Sequence, residues 1–240
     1  MTIHSTQPGA TARPVATPSD APSALSAPSV LALGAIAGPA LFTLAWLVLG
    51  FISTGYTVGG TRIDPYSHIS QPISGLGMGE TAPFMNTAFV LSGLLLLAGV
   101  IGVLRGIGAT GRPVARWTSA VLLALTPAGL VVVGLFDLDA PVLHLAGAAL
   151  VYMLPVLSFP LTGLFLRGVA GWRRFGNLLL VAGALTFVLM IVFSLTFNED
   201  TTAAGQGVAG LTQRVLFTEV LAWFAAMGWW ARRASARREG

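Results

Sequence analysis

Six stretches of this chain are long and apolar enough to cross a bilayer, which needs about 20 residues of helix, and that limits what it can fold into. They run at 30–52, 84–104, 117–136, 143–166, 175–197 and 211–231. No water inside the hydrocarbon can bond a backbone N–H or C=O, so each stretch is expected to be a helix. Composition agrees: 55% of residues are hydrophobic and 9% charged, against about a quarter charged in soluble domains. The expected fold class is all-α, a polytopic membrane protein with six transmembrane helices. Residues 1–29 are rich in Pro, Ala, Ser and Thr, with few large apolar groups, and read as a disordered tail. The transmembrane domain covers 30–231, and 232–240 is a basic tail. The first apolar run is too long and starts too late for a signal peptide.

Orientation follows from arginine, which supplies every basic residue. Arg13, Arg105, Arg112, Arg116, Arg167, Arg173, Arg174, Arg232, Arg233, Arg237 and Arg238 all fall on one side of the six runs. Only Arg62 and Arg214 fall on the other. The richer side is expected to be cytoplasmic, with both termini on it and the protein multi-pass in the cell membrane. Asp64, Glu80, Asp137, Asp139, Glu199 and Asp200 then lie on the outer side. Arginines placed as span flanks give no reason to invoke nucleic acid.

The longest outer connection is 53–83. Tyr56–Ile63 has the form of a hairpin turning at Gly59-Gly60. The following Ser70–Gly77 stretch is too apolar for an idle linker and is expected to fold back over the mouth of the bundle. Ser70 or Ser74 would there cap a short helix or bond the loop backbone. Pro39, Pro127, Pro155 and Pro160 predict kinks in the spans. Gly34 with Gly38, and Gly102 with Gly106, have the spacing of close helix contacts.

Four polar features are candidates for chemistry. Asp137 ends the third span and His144 begins the fourth, and a tight turn would bring them together as an acid–base unit or as metal ligands. The alternative has Asp137 capping a helix and His144 bonding a loop carbonyl. Glu219 lies two turns into the sixth span, where an acid needs a partner, and Arg214 on the same helix is a candidate for it. Asn86 in the second span reads as an interhelical hydrogen-bond donor more than a ligand. Ser67, Ser70, Ser74 and His68 form a polar set without a Gly-x-Ser-x-Gly elbow, so a serine nucleophile is unsupported. Thus Asp137, His144 and Glu219 are the catalytic candidates, Asp137 and His144 the metal candidates, and Ser70, Ser74 and Asn86 the binding candidates. No cysteine is present, which excludes disulfides and thiolate metal sites. There is no nucleotide-binding motif and no facing histidine pair for haem. The cofactor is left open.

Ser70-Gln71-Pro72-Ile73-Ser74-Gly75-Leu76-Gly77, taken with Asp137 and His144-Leu145-Ala146-Gly147-Ala148, resembles the domain-of-unknown-function 998 family of bacterial and archaeal membrane proteins. The likeness covers about 30–231. Leu135-Phe136 stands before Asp137 where members often have Phe-Pro. The resemblance implies a fold and a location, not a reaction. The same loop and fourth-span start are also similar to a wider eukaryotic six-span group that includes autophagy modulators and lipid-remodelling factors. Three functions are weighed. The first is binding or modifying a lipid or lipid-linked molecule at the outer face, with Asp137 and His144 central, Glu219 below and the loop as a cover. The second is a small-solute or ion transporter working through Glu219. The third is a non-catalytic adaptor. The expected partner is membrane lipid, with a protein partner or homo-oligomer left open.

Overall fold

The computed structural model describes residues 27–107 and 110–239. The expected tail at 1–26 lies outside the described residues, and 27–29 already belong to a helix. Helix α1 spans Ala27–Ala32 and α2 Gly34–Ile52. The long loop follows, with strands β1 (Tyr56–Val58) and β2 (Thr61–Ile63) and two 3₁₀ turns, Ile73–Gly77 and Gly79–Thr81. Then come α3 (Ala82–Ile107), α4 (Pro113–Leu135), α5 (Pro141–Tyr152), α6 (Pro155–Leu166), α7 (Arg173–Thr196), α8 (Glu199–Ala203) and α9 (Ala209–Glu239). The basic tail is therefore mostly a continuation of α9.

Five helical segments are long and apolar enough to cross a membrane: Ala27–Ile52, Gly79–Ile107, Pro113–Leu135, Pro141–Leu166 and Arg173–Thr196. The long helix α9 is not one of these five. Gln213, Arg214 and Glu219 interrupt its first three turns. Large apolar side chains such as Leu44, Phe51, Val121, Leu145, Val181 and Leu195 face outward around the helices. So broad an apolar surface suits lipid as its solvent, and the protein is a helical, polytopic membrane protein.

The helices close into a ring. α3 packs between α2 and α4, α4 meets α5 and α6, α6 meets α7, α7 meets α9, and α9 returns to α2 and α3. Phe42 sits where α2, α3 and α9 meet, 4.9 Å from the Phe89 ring and 6.0 Å from the Phe217 ring. Lipid supplies little hydrophobic drive between helices, so close backbone approach matters. A side chain on Gly34 or Gly38 would strike the α3 backbone, and one on Gly99 or Gly102 would strike Ala35 or Leu31–Ala32. Gly106 faces open space, so the expected Gly102/Gly106 contact is corrected to Gly99 with Gly102. Of the prolines, Pro39, Pro127 and Pro160 lie inside continuous helices. The fourth apolar run breaks before Pro155, where Leu154 N–H reaches back five residues to Ala149 O at 3.3 Å.

The loop does fold back over the bundle. Tyr56 pairs with Ile63, and Gly59 and Gly60 take φ of 55° and 80°, the left-handed geometry of a tight two-residue hairpin. Behind the hairpin, Tyr66, Ile73, Leu76 and Met78 are buried together with Tyr56.

Candidate functional site

The polar centre on the side of the long loop lies at the start of α9. Arg214 is only 4% exposed. Its Nη1 donates toward His68 O at 2.8 Å, Gln71 O at 2.9 Å and Gly210 O at 2.8 Å, and its Nη2 donates to the Tyr66 hydroxyl. Tyr66 in turn donates to Pro72 O at 3.1 Å. The guanidinium also lies 5.3 Å from the Trp46 ring and 5.8 Å from the Tyr66 ring, close enough for cation–π attraction. Two further contacts pin the same loop. Gln213 Oε1 accepts from Ile73 N–H at 2.7 Å, and Leu211 N–H donates to Ile69 O at 2.9 Å. Gly210 permits the approach, because a Cβ there would collide with Gln71 O.

Gln71 finishes the loop's internal order. Its Oε1 accepts from Ser67 N–H at 2.6 Å and Ser70 Oγ at 3.1 Å, and its Nε2 donates to Thr202 O at 3.1 Å. Ser67 Oγ accepts from Ile69 and Ser70 N–H, a serine turn. Ser70 thus bonds a side chain rather than capping a helix. The residue before the Ile73–Gly77 turn is Pro72, and no side chain caps it, so Ser74 does not do so either. Asn86 Nδ2 donates to Gly77 O at 3.1 Å. The expected interhelical bond is therefore corrected to a bond from helix to loop.

Arg214 holds a charge without a carboxylate. Among the described residues the ion pair present is Arg62–Asp64 at 3.3 Å, on the surface. The expected Arg214–Glu219 pairing does not form. Arg214 turns outward to the loop, and Glu219 turns to α7, where its Oε2 lies 2.9 Å from Thr186 Oγ1 and its Oε1 accepts from Trp223 Nε1 at 2.7 Å. Tyr66 does not supply a counter-charge: burial pushes its hydroxyl up to about 12, so it is a neutral phenol. Arg214 Nε–H has no partner among the described residues. His68 sits beside this cluster, its ring 4.8 Å from Phe51, 5.9 Å from Tyr66 and 6.3 Å from Trp46. Burial first, and the Arg214 charge second, hold His68 below its ordinary value, so it is neutral near pH 7.

Trp46 and α9 bound a groove of about 490 Å³ that opens sideways. Leu211, Arg214, Val215, Thr218, Glu219 and Ala222 form the α9 wall. It thus joins a mostly apolar trough to one buried cation and one acid.

The Asp137–His144 corner is separate from this cluster. Asp137 Oδ1 accepts from Asp139 N–H at 3.1 Å, and His144 Nδ1 bonds Phe136 O at 2.9 Å. A carbonyl only accepts, so Nδ1 carries the proton. No hydrogen bond joins Asp137 to His144 among the described residues. No cluster of three or more His, Asp or Glu is placed to hold a metal there either.

The sequence reading passed over Trp46, Tyr66, Gln71 and Gln213, and named Arg214 only as a partner for Glu219. One signal was present. An arginine and a glutamine side by side in the first turns of an apolar helix need acceptors, and the nearest outer backbone is the long loop.

The family model described as protein of unknown function (DUF998) matches residues 36–230. No curated protein and no solved structure matches. The match runs from the first turn of α2 to residue 230 within α9 and takes in the whole 53–83 loop, and the chain belongs to the DUF998 family.

Proposed function

We propose that this is a six-span protein of the cell membrane, with both termini cytoplasmic, that binds a phosphate-bearing lipid or lipid-linked molecule in the outer half of the bilayer. In this reading α9 is the sixth span, and its polar residues are tolerated because they face protein and the groove. The headgroup lies at Arg214 and the hydrocarbon runs along Leu211, Val215, Ala222 and Trp46. The single observation behind the proposal is a buried arginine with no carboxylate partner on the wall of a laterally open apolar groove. A desolvated cation is costly unless an anion or several dipoles face it. Loop carbonyls supply part of that, and the free Nε–H is a donor left for a phosphate oxygen. An apolar trough beside the charge selects an anion that carries a hydrocarbon tail.

The lipid reading is retained from the sequence, but its centre is moved. Asp137 and His144 have their own local bonds, and the loop covers Arg214 instead. The test is native mass spectrometry of protein gently extracted from its own membrane, comparing wild type, Val215→Trp and Arg214→Gln. Val215 is exposed on the groove and is not part of the arginine's bonding, so its enlargement fills the trough while the clamp stays intact. Expected is a bound phospholipid or lipid-linked phosphate in wild type, reduced at least tenfold in both variants. Equal lipid occupancy in all three proteins rejects the proposal. Retention of free phosphate alone also rejects it, since the groove would then play no part.

A further inference from the structure

Glu219 stands ten residues after the start of α9, and Thr186 ten before the end of α7. At about 1.5 Å per residue, both are some 15 Å from those helix ends, which is near mid-bilayer in the reading of α9 as the sixth span. Thr186 Oγ1 lies 2.9 Å from Glu219 Oε2 and also 2.9 Å from Ala182 O. A threonine hydroxyl has one proton, and a backbone carbonyl has none. If Glu219 were a carboxylate, Thr186 would donate to it. The single Thr186 proton would then be shared between the carboxylate and the Ala182 carbonyl, a three-centre bond weaker on each arm than a full one. If Glu219 carries its own proton, every contact holds one hydrogen. In that form Glu219 would donate to Thr186 across the 2.9 Å contact, Thr186 would keep its bond to Ala182 O, and Trp223 would still donate to the other carboxyl oxygen.

The surrounding charges point the same way. α1, α2 and the Ile73–Gly77 turn contribute no titratable side chain to α9. On α3 the charge is Arg105, and on α7 Arg173 and Arg174, all at the opposite helix ends from the outer loop. On α5, His144 is bonded to Phe136 O and the Tyr152 ring packs on Phe193 and Phe217. Arg214, on α9 itself, is committed to the loop and Tyr66. Among the described residues no cation is paired with the carboxyl, and one wall of its surroundings is the mostly apolar groove.

We infer that Glu219 is a proton-binding site within the membrane, carried as a neutral carboxylic acid in the groove wall and donating to Thr186. On release the Glu219 proton passes to a water molecule entering from the groove, and one hydroxyl rotation then moves the Thr186 hydrogen from Ala182 O to the carboxylate. The site is thus a two-state proton acceptor with a small reorganisation. It rests on the proposed reading of α9 as a span but not on lipid binding, which rests on Arg214 and is read by lipid occupancy.

The test uses full-length protein in lipid nanodiscs. Infrared spectra at pH 7 should contain the carbonyl stretch of a protonated carboxyl that is absent from Glu219→Gln, and Thr186→Val should shift that band, because the acid loses its acceptor. A second measurement needs no variant at Glu219. Dicyclohexylcarbodiimide reacts with the acid form: the carboxyl proton goes to a carbodiimide nitrogen, a carboxyl oxygen bonds the central carbon, and acyl migration leaves an N-acylurea with no atom lost. Peptide mass spectrometry should find this adduct at Glu219 at pH 7, with labelling falling as pH is raised. A wild-type spectrum without a protonated-carboxyl band at pH 7 overturns the inference. So does a band that Thr186→Val leaves in place, or the absence of an adduct at Glu219.

Discussion

Two corners of the bundle both place a histidine near a charged residue at a helix end, and they differ in what holds their polar atoms. At the Asp137–His144 corner every bond is local. The histidine caps the carbonyl eight residues before it, and the aspartate holds an N–H two residues on. At the α9 corner Arg214 bonds residues 143 to 148 positions away, and Gln213 bonds one 140 away. The first corner closes a turn. The second joins the loop to the bundle and still leaves a donor unused. The lesson concerns where function is sought: a polar pair that satisfies itself locally is explained by its turn, whereas a charge left without a counter-charge after all its structural bonds asks for a ligand.

Arg214→Ala tests this contrast most severely. It strands the carbonyls of His68 and Gln71 under a buried loop and takes a donor from the Tyr66 hydroxyl, which keeps its bond to Pro72 O. With about 1–3 kcal/mol for each buried group left without a partner, a loss of about 3 kcal/mol or more is expected. Unfolding in mixed micelles should register it, and hydrogen exchange should rise in 66–77 well above the rest of the chain. Arg214→Lys keeps the charge but cannot spread its donors over the same fork, and should recover less than half of the loss. Unchanged exchange in the loop would mean the clamp does not hold it.

The contrast also marks what was legible in the sequence. Five of the apolar runs emerge as membrane-length helices, because length and hydropathy leave a bilayer-spanning backbone no other form. The hairpin was legible because Gly59-Gly60 can take a conformation most residues avoid. The site was less so. Asp137 and His144 are neighbours in sequence, so spacing exposed them, while Arg214, Tyr66 and Gln71 meet only because the ring of helices closes α9 onto α2. Pairing Arg214 with Glu219 failed for a related reason. They are five residues apart on one helix, which turns them to different faces, one toward the loop and the other toward Thr186.

His68 gives the next effect and a pH signature. Its folded value is depressed below 6.5 by burial and by Arg214. Above pH 6.5 both folded and unfolded forms are neutral there, and its contribution to stability is constant. As pH falls below 6.5 the unfolded chain takes up the proton more readily, so stability declines until the folded value is passed. Loop protection measured from pH 7.5 down to 5 should therefore fall, and His68→Gln should flatten that dependence. Gly50→Ala reaches the same ring from below, because its Cβ would occupy the space of the imidazole. It should loosen the loop at every pH without creating a new titration. No equivalent loop effect is expected from His144→Ala. That change removes one bond to the Phe136 carbonyl and should cost about 1 kcal/mol, with the 66–77 loop unaffected.

The smallest effect expected is at Ser74, and it separates the loop's motif from its mechanics. Ser74 lies in the stretch that carries the family resemblance, yet the turn it belongs to is not capped by a side chain. Its neighbours Ile73 and Leu76 are 1% and 0% exposed and do the packing, and Ile73 N–H is held by Gln213. Ser74→Ala should therefore shift stability by no more than about 0.5 kcal/mol. Lipid occupancy should stay within twofold of wild type, since the groove does not include Ser74. Gln213→Leu, which removes the acceptor for Ile73 N–H, should be clearly more harmful in the same assays. If Ser74→Ala instead proved the worse of the two, the serine would be acting on something outside the chain. The outer surface of the loop, rather than the groove beneath it, would then be the place to look for a ligand.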